Sequence, residues 1–147
     1  QWVKAHPEKD VLILCVGIAL AICVAVYAGV KPYPELLDAE GKLVVDGHKM
    51  ANDTFKGVGW CSAFLIGWIL ERRFVSFSTD IPMVKRMSRL TVGLFFYYIV
   101  SLILLPLIKG WLPGAAGTIT GYFMQMFYVS FIFPWCIRFL EKRAMKS

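Results

Sequence analysis

Three stretches of the chain run without a single Asp, Glu, Lys or Arg: Val11 to Val30, Leu90 to Ile108 and Gly110 to Ile137, which are 20, 19 and 28 residues long. The hydrocarbon core of a bilayer is about 30 Å thick and takes roughly 20 helical residues to cross, and in lipid only segments that satisfy their own backbone hydrogen bonds are stable. Each run therefore predicts a membrane-spanning helix. A fourth, Gly57 to Leu70, has 14 uncharged residues between Lys56 and Glu71, about 21 Å of helical rise. Lys56 and Arg72 lengthen it, because their charged ends reach the headgroups while their stems stay in hydrocarbon, so a helix from about Lys49 to Arg73 is long enough. The expected fold is an all-α, multi-pass membrane protein. It has an N-terminal segment 1–10, a four-helix transmembrane domain over 11–143 with spans near 11–30, 54–73, 88–108 and 115–138, and a tail 144–147.

The polar breaks predict how the spans are joined. In the link from Lys31 to Asp53, Glu40-Gly41 and Asp46-Gly47 are turn signals on either side of Leu43-Val44-Val45, so a small external loop or hairpin should lie over the helix ends. Ser78-Thr79-Asp80 before Ile81-Pro82 supplies capping side chains and a first-turn proline, and the third helix should begin there. Lys109-Gly110-Trp111-Leu112-Pro113-Gly114 is short and rich in helix breakers, which makes the third and fourth spans an antiparallel hairpin. Trp60 and Trp111 are expected at one rim, Trp68 and Trp135 at the other, and Trp2 ahead of the first span, as interfacial belts. Pro106 and Pro134 fall near span ends, where a lost backbone bond is tolerated.

Composition narrows the class. With 58% hydrophobic residues in 147 and a mean hydropathy of +0.61, the chain is neither a disordered tail nor a solvated adaptor. The net charge of +6 divides unequally. Four crossings put both termini on one side, together with 11 of the 16 basic residues, and leave Lys31, Lys42, Lys49, Lys56 and Lys109 among five acids on the other. The bias of Lys and Arg toward the cytoplasm then places both termini inside, in a cell inner membrane. Because the basic residues flank spans, the pI near 9.3 reflects topology and attraction to anionic lipid, not nucleic acid.

Small residues recur at helical spacing: Gly17, Ala21, Ala25 and Gly29 in the first span, Gly59, Ala63 and Gly67 in the second, Gly117 and Gly121 in the fourth. Such strips let helices approach closely, so they are the expected helix-packing residues. Gln125, near the middle of the fourth span, is costly to leave in lipid and should hydrogen-bond another helix.

Reactive chemistry is sparse. Cys15, Cys23, Cys61 and Cys136 lie within spans without metal-ligand spacing and read as buried free thiols. His6 and His48 have no nucleophile or second ligand at a recognisable spacing and read as exposed turn residues. No catalytic residue, metal or cofactor is expected. Lys31, His48, Lys49 and Lys56 at the outer rim are the candidate contacts for a lipid headgroup.

The stretch Gly67-Trp68-Ile69-Leu70-Glu71-Arg72-Arg73-Phe74-Val75-Ser76-Phe77-Ser78, with Pro113-Gly114-Ala115-Ala116-Gly117-Thr118, resembles the C-terminal, post-catalytic membrane region of bacterial type-2 phosphatidic acid phosphatases. The likeness covers roughly Lys31 to Lys142. It implies a parent protein that cleaves phosphomonoesters or lipid pyrophosphates without metal, using two histidines with Lys and Arg on the phosphate. The family's catalytic motifs do not occur here: Ser88-Arg89 comes closest, and Phe95 stands where the histidine should follow. Gln1 in place of an initiator Met suggests a fragment or a processed chain. The expected function is thus the non-catalytic membrane region of a lipid-phosphatase-like protein, its partners being membrane lipids and a missing N-terminal catalytic half or a second copy of itself. The alternative is a small stand-alone membrane interaction or transport subunit.

Overall fold

The computed structural model describes residues 7–41, 43–76 and 80–144. Trp2, Lys4, His6, Lys42, Ser78, Thr79 and Lys146, which enter the sequence expectations, lie outside these residues. A turn of 3-10 helix at Pro7–Lys9 leads into helix α1, Asp10–Val30. Strands β1, Leu36–Leu37, and β2, Leu43–Val45, form an antiparallel pair with Leu36 opposite Val45 and Leu37 opposite Leu43. Helix α2, Gly47–Leu70, closes with a π-helical turn at Glu71–Val75. Helix α3 is Met83–Trp111, and a tight turn leads into α4, Gly114–Phe127, which runs through a second π-helical turn at Tyr128–Ile132 into α5, Phe133–Ala144.

The chain therefore builds four rods, of which α1, α3 and the continuous rod Gly114–Arg143 are long and apolar enough to cross a membrane. The α2 helix has the length, but its first turns carry Lys49, Asp53 and Lys56. It is nonetheless the centre of the bundle. Its principal neighbours are α1 on one side and α4 on the other, and α3 packs on α4, so the spatial order is α1, α2, α4, α3. Among the described residues, four of the five buried apolar residues belong to the α2 rod (Val58, Ala63, Ile69 and Val75) and the fifth is Ala28 of α1. Helix α3 has no buried residue, and large apolar side chains such as Leu12, Leu20, Leu94 and Leu102 are exposed. In water so much apolar surface would drive association; in hydrocarbon it is the natural outer face of a spanning helix.

Two junctions differ from the sequence expectation. Asp46-Gly47 is the start of α2, because the Asp46 side chain accepts a hydrogen bond of 3.0 Å from the Lys49 amide and caps the first turn. The hairpin turn is confined to Asp38–Gly41, where the Gly41 amide reaches the Asp38 carbonyl at 3.0 Å. The early start moves Trp60 away from the rim: it stands thirteen residues past Gly47, about 20 Å along the axis, at mid-depth. Helix α3 starts after Pro82, which takes an extended ψ of 145° and leaves the helix without a side-chain cap. An extended proline cannot belong to a first turn, so Pro82 precedes the helix instead of entering it; Ser78 and Thr79, named for the cap, lie outside the described residues.

The π-helical turn before α5 has a cause in Pro134. A proline inside a helix lacks its own N–H and pushes on the carbonyl four residues back, here that of Ser130. A widened turn at Tyr128–Ile132 relieves that clash without breaking the rod. The cysteines are free as expected, but Cys15, Cys23 and Cys61 are exposed, not buried. In so thin a bundle the outer helices are covered on one face only. On α1 that face runs through Gly17, Ala21, Ala25 and Ala28.

Candidate functional site

Polar side chains gather at three depths. At one end of the bundle Asp10, only 1% exposed, accepts hydrogen bonds from Arg72 and from Arg73 Nε, the latter at 3.3 Å. Arg72 also lies with its guanidinium carbon 5.0 Å from the Trp68 ring centroid. The Glu-Arg-Arg-aromatic run is thus the clasp that fastens α2 to the first residue of α1. Successive residues of an α-helix point about 100° apart, and the wider turn at Glu71–Val75 narrows that angle so that two adjacent arginines meet one carboxylate. The turn ends on Ser76, whose φ of 48° is left-handed and whose amide closes it on the Glu71 carbonyl at 2.8 Å, as helix ends commonly do. At the same end Arg89 pairs with Glu141, and Arg138 donates to the Phe74 carbonyl at 3.3 Å. Sequence reasoning counted the basic residues of this face and missed Asp10. The available signal was its register, an acid flush with the start of one span and level with two arginines at the end of the next.

At mid-depth Gln125 is 7% exposed and joins three helices. Trp60 Nε1 donates to its Oε1 at 3.3 Å, and its Nε2 donates to Ser101 Oγ at 2.6 Å. The Trp60 ring meets Tyr122 edge-on at 5.4 Å. The interhelical role expected for Gln125 is what the side chain does; its partners Trp60 and Ser101 were not legible in the sequence.

The small residues divide by how closely another group approaches. A Cβ on Gly59 would stand 2.5 Å from the Ile119 carbonyl oxygen and 3.1 Å from the Phe123 amide, both backbone atoms of α4. Gly67 lies against Ser130, Gly17 against Leu65, and Gly121 against Leu105, where a Cβ would be 2.7 Å from Cδ1. Ala63 is fully buried, while Ala21 and Ala25 are half-buried. Gly117 meets Leu112 of its own turn, and Gly29 has nothing within 4 Å of a built Cβ. The buried position near that end of α1 belongs to Ala28, 2% exposed.

At the hairpin end two cavities open side by side. One, about 480 Å³, is lined by His48, Lys49, Asn52, Phe55, Lys109 and Thr118 among others. The second, about 430 Å³, includes Lys31, Tyr33, Glu35 and His48. The four rim residues singled out in the sequence are therefore divided: Lys31 lines one cavity, Lys49 the other, His48 both, and Lys56 neither. Lys56 forms a 2.6 Å ion pair with Asp53 and lies 5.8 Å from the Tyr122 ring centroid. Lys109 is the member the sequence reading left out. The α3–α4 turn brings it over the cavity, 5.1 Å from the Tyr122 ring centroid. Among the described residues no three His, Cys, Asp or Glu side chains are grouped to hold a metal ion.

Comparison with known families matches the chain over residues 55–145 to the family described as PAP2 superfamily phosphatase, transmembrane extension. That range holds the clasp arginines, the mid-depth network, Lys109 and Thr118. No curated protein and no solved structure matches the chain.

Proposed function

This chain belongs to the PAP2 superfamily phosphatase transmembrane extension family, and from that premise we propose that it is the non-catalytic membrane extension of a lipid-phosphatase-like protein. The parent's substrates would be phosphomonoesters or lipid pyrophosphates. The observation that carries this reading is the use made of the polar groups between the helices. Asp10, Arg72 and Arg73 join α1 to α2, Gln125 joins α4 to α2 and α3, and Arg89 of the Ser88-Arg89 pair joins α3 to α5 through Glu141. They serve as joints. Metal-free phosphoryl transfer of the family's kind asks for a nucleophilic histidine, a second histidine as acid and cations on the phosphate, and the chain has two histidines in all, His6 and His48. The rival reading, a stand-alone interaction or transport subunit, draws less support, because the mid-depth polar groups bond to one another instead of facing a passage. The purified chain, assayed without added metal on phosphatidic acid in mixed micelles, should release phosphate no faster than the protein-free blank. Sustained turnover by this chain alone would overturn the reading.

The same reading has α2 as a fourth crossing and both termini in the cytoplasm of a cell's inner membrane. Its support is the distribution of Lys and Arg and the interior place of α2 between α1 and α4, which shields a helix too polar to face lipid alone. With the native cysteines replaced, Glu40→Cys should react with a membrane-impermeant maleimide on intact cells. Glu8→Cys and Lys142→Cys should react only after permeabilisation. Labelling of Glu8→Cys and Lys142→Cys on opposite sides would remove the even number of crossings.

A further inference from the structure

We propose that the cavity of about 480 Å³ at the hairpin end is a binding site for a phosphate group, held between Lys49 and Lys109. The inference does not depend on the parent being a phosphatase. It follows from what converges there. Lys49 and His48 belong to the first turn of α2, whose amide end Asp46 already caps, and Gly114 at the cavity wall begins α4, which has no side-chain cap, so the partial positive charge of one uncapped helix N-terminus adds to the lysines at this opening. Helix α3 ends at the same place, and Lys109 in its last turn answers the negative end of that helix. The lining residues include two lysines and a histidine and no carboxylate. Of the two acids that flank Lys49 in sequence, Asp46 is engaged by the Lys49 amide at 3.0 Å and Asp53 by Lys56 at 2.6 Å.

The floor of the site is polar and ordered. Thr118, 5% exposed, donates its hydroxyl hydrogen to Asn52 Oδ1 at 2.7 Å, which leaves the Asn52 amide hydrogens as donors beside the lysines. Phe55, Ala51 and Leu112 complete the wall and suit the uncharged part of an ester. The volume falls in the range of small-molecule sites. The cavity also lies where helices end, the depth at which lipid phosphates are found. Lysine ammonium groups bind phosphate as point charges. The phosphate can be that of a lipid headgroup or of a water-soluble ester, and the chemistry of the site is the same for both.

Calorimetric titration of the detergent-solubilised chain separates the sources. The probes are a short-chain phosphatidic acid, glycerol 3-phosphate and a short-chain phosphatidylcholine, whose choline offsets the phosphate charge. Phosphatidic acid should bind and phosphatidylcholine should not. Binding of glycerol 3-phosphate with similar affinity assigns the site to soluble esters, and its failure assigns it to the lipid headgroup; either outcome supports a phosphate site. Lys49→Gln and Lys109→Gln should each weaken binding about tenfold, the size of one lost charge-assisted contact. Lys85→Gln, at the opposite end of the bundle, should leave binding unchanged. Both lysines lie on the surface of formed helices, and the circular dichroism of each variant should match the parent. Absence of phosphatidic acid binding, or equal weakening by Lys85→Gln, would overturn the proposal.

Discussion

Gly59→Ala will destabilise the protein, whereas Gly57→Ala, two residues earlier on the same helix, will stabilise it or leave it unchanged. Both replacements restrict the unfolded backbone and favour helix, a gain of up to about 1 kcal/mol for an unobstructed position. A methyl group at Gly57 meets nothing within 4 Å, so that gain should appear. At Gly59 the methyl would sit 2.5 Å from the Ile119 carbonyl oxygen, and the obstacle is helix backbone, which no rotamer change can clear. Helix α4 must move off α2, and overpacking of this kind costs about 1–3 kcal/mol. The shift would also lengthen the bonds from Trp60 and Ser101 to Gln125. Thermal unfolding of the two variants in one detergent should give melting temperatures on opposite sides of the parent's or, at the least, a clear deficit for Gly59→Ala. Equal melting temperatures would mean that α2 and α4 are not in backbone contact.

Asp10→Ala should be the most damaging single change at the other end of the bundle. It removes an almost fully covered carboxylate and leaves two guanidinium groups facing each other, Arg72 itself being mostly covered. Breaking a buried pair from one side is worse than never having formed it. Helix α1 has one principal neighbour, α2, so the loss should be read in α1: faster proteolysis near its start and a lower melting temperature. Asp10→Asn, which keeps an acceptor for one arginine, should lose less. Adding Asp10→Ala to a chain that already carries Arg72→Gln and Arg73→Gln should cost little more, since the partners are gone. Additive losses would show that Asp10 acts through something other than the clasp.

The two changes illustrate how much was legible in advance. The small residues at 17, 59, 63, 67 and 121 mark close approaches by a local rule, the absence of side-chain bulk, which can be read along one helix. Gly29 obeys the same spacing and touches nothing, because helix α1 presents Ala28 at that level. Gln125 declares its need for a partner by being polar amid an apolar run, yet nothing in the run says that Trp60 and Ser101 will meet it. The uncharged stretch that begins at Gly57 predicts a rim position for Trp60; the Asp46 cap starts the helix a full ten residues ahead of that stretch. In the sequence Lys31, His48, Lys49 and Lys56 share the outer rim. The fold regrouped them, separating Lys56 and recruiting Lys109 from the far end of α3.

By itself the sequence determined that the protein is helical and membrane-embedded and roughly where each rod lies. Those properties follow from the length of uncharged runs against the thickness of hydrocarbon, and no other part of the chain is needed to evaluate them. It also carried the marks of a family through a helix-ending pattern. Only the tertiary structure decided that α2 is central, that α3 reaches the bundle through α4, and which acid meets the arginines. These are matters of register between helices that lie tens of residues apart in the chain. Each register is selected by a few close contacts and hydrogen bonds together, so it exists only once all the rods are in place.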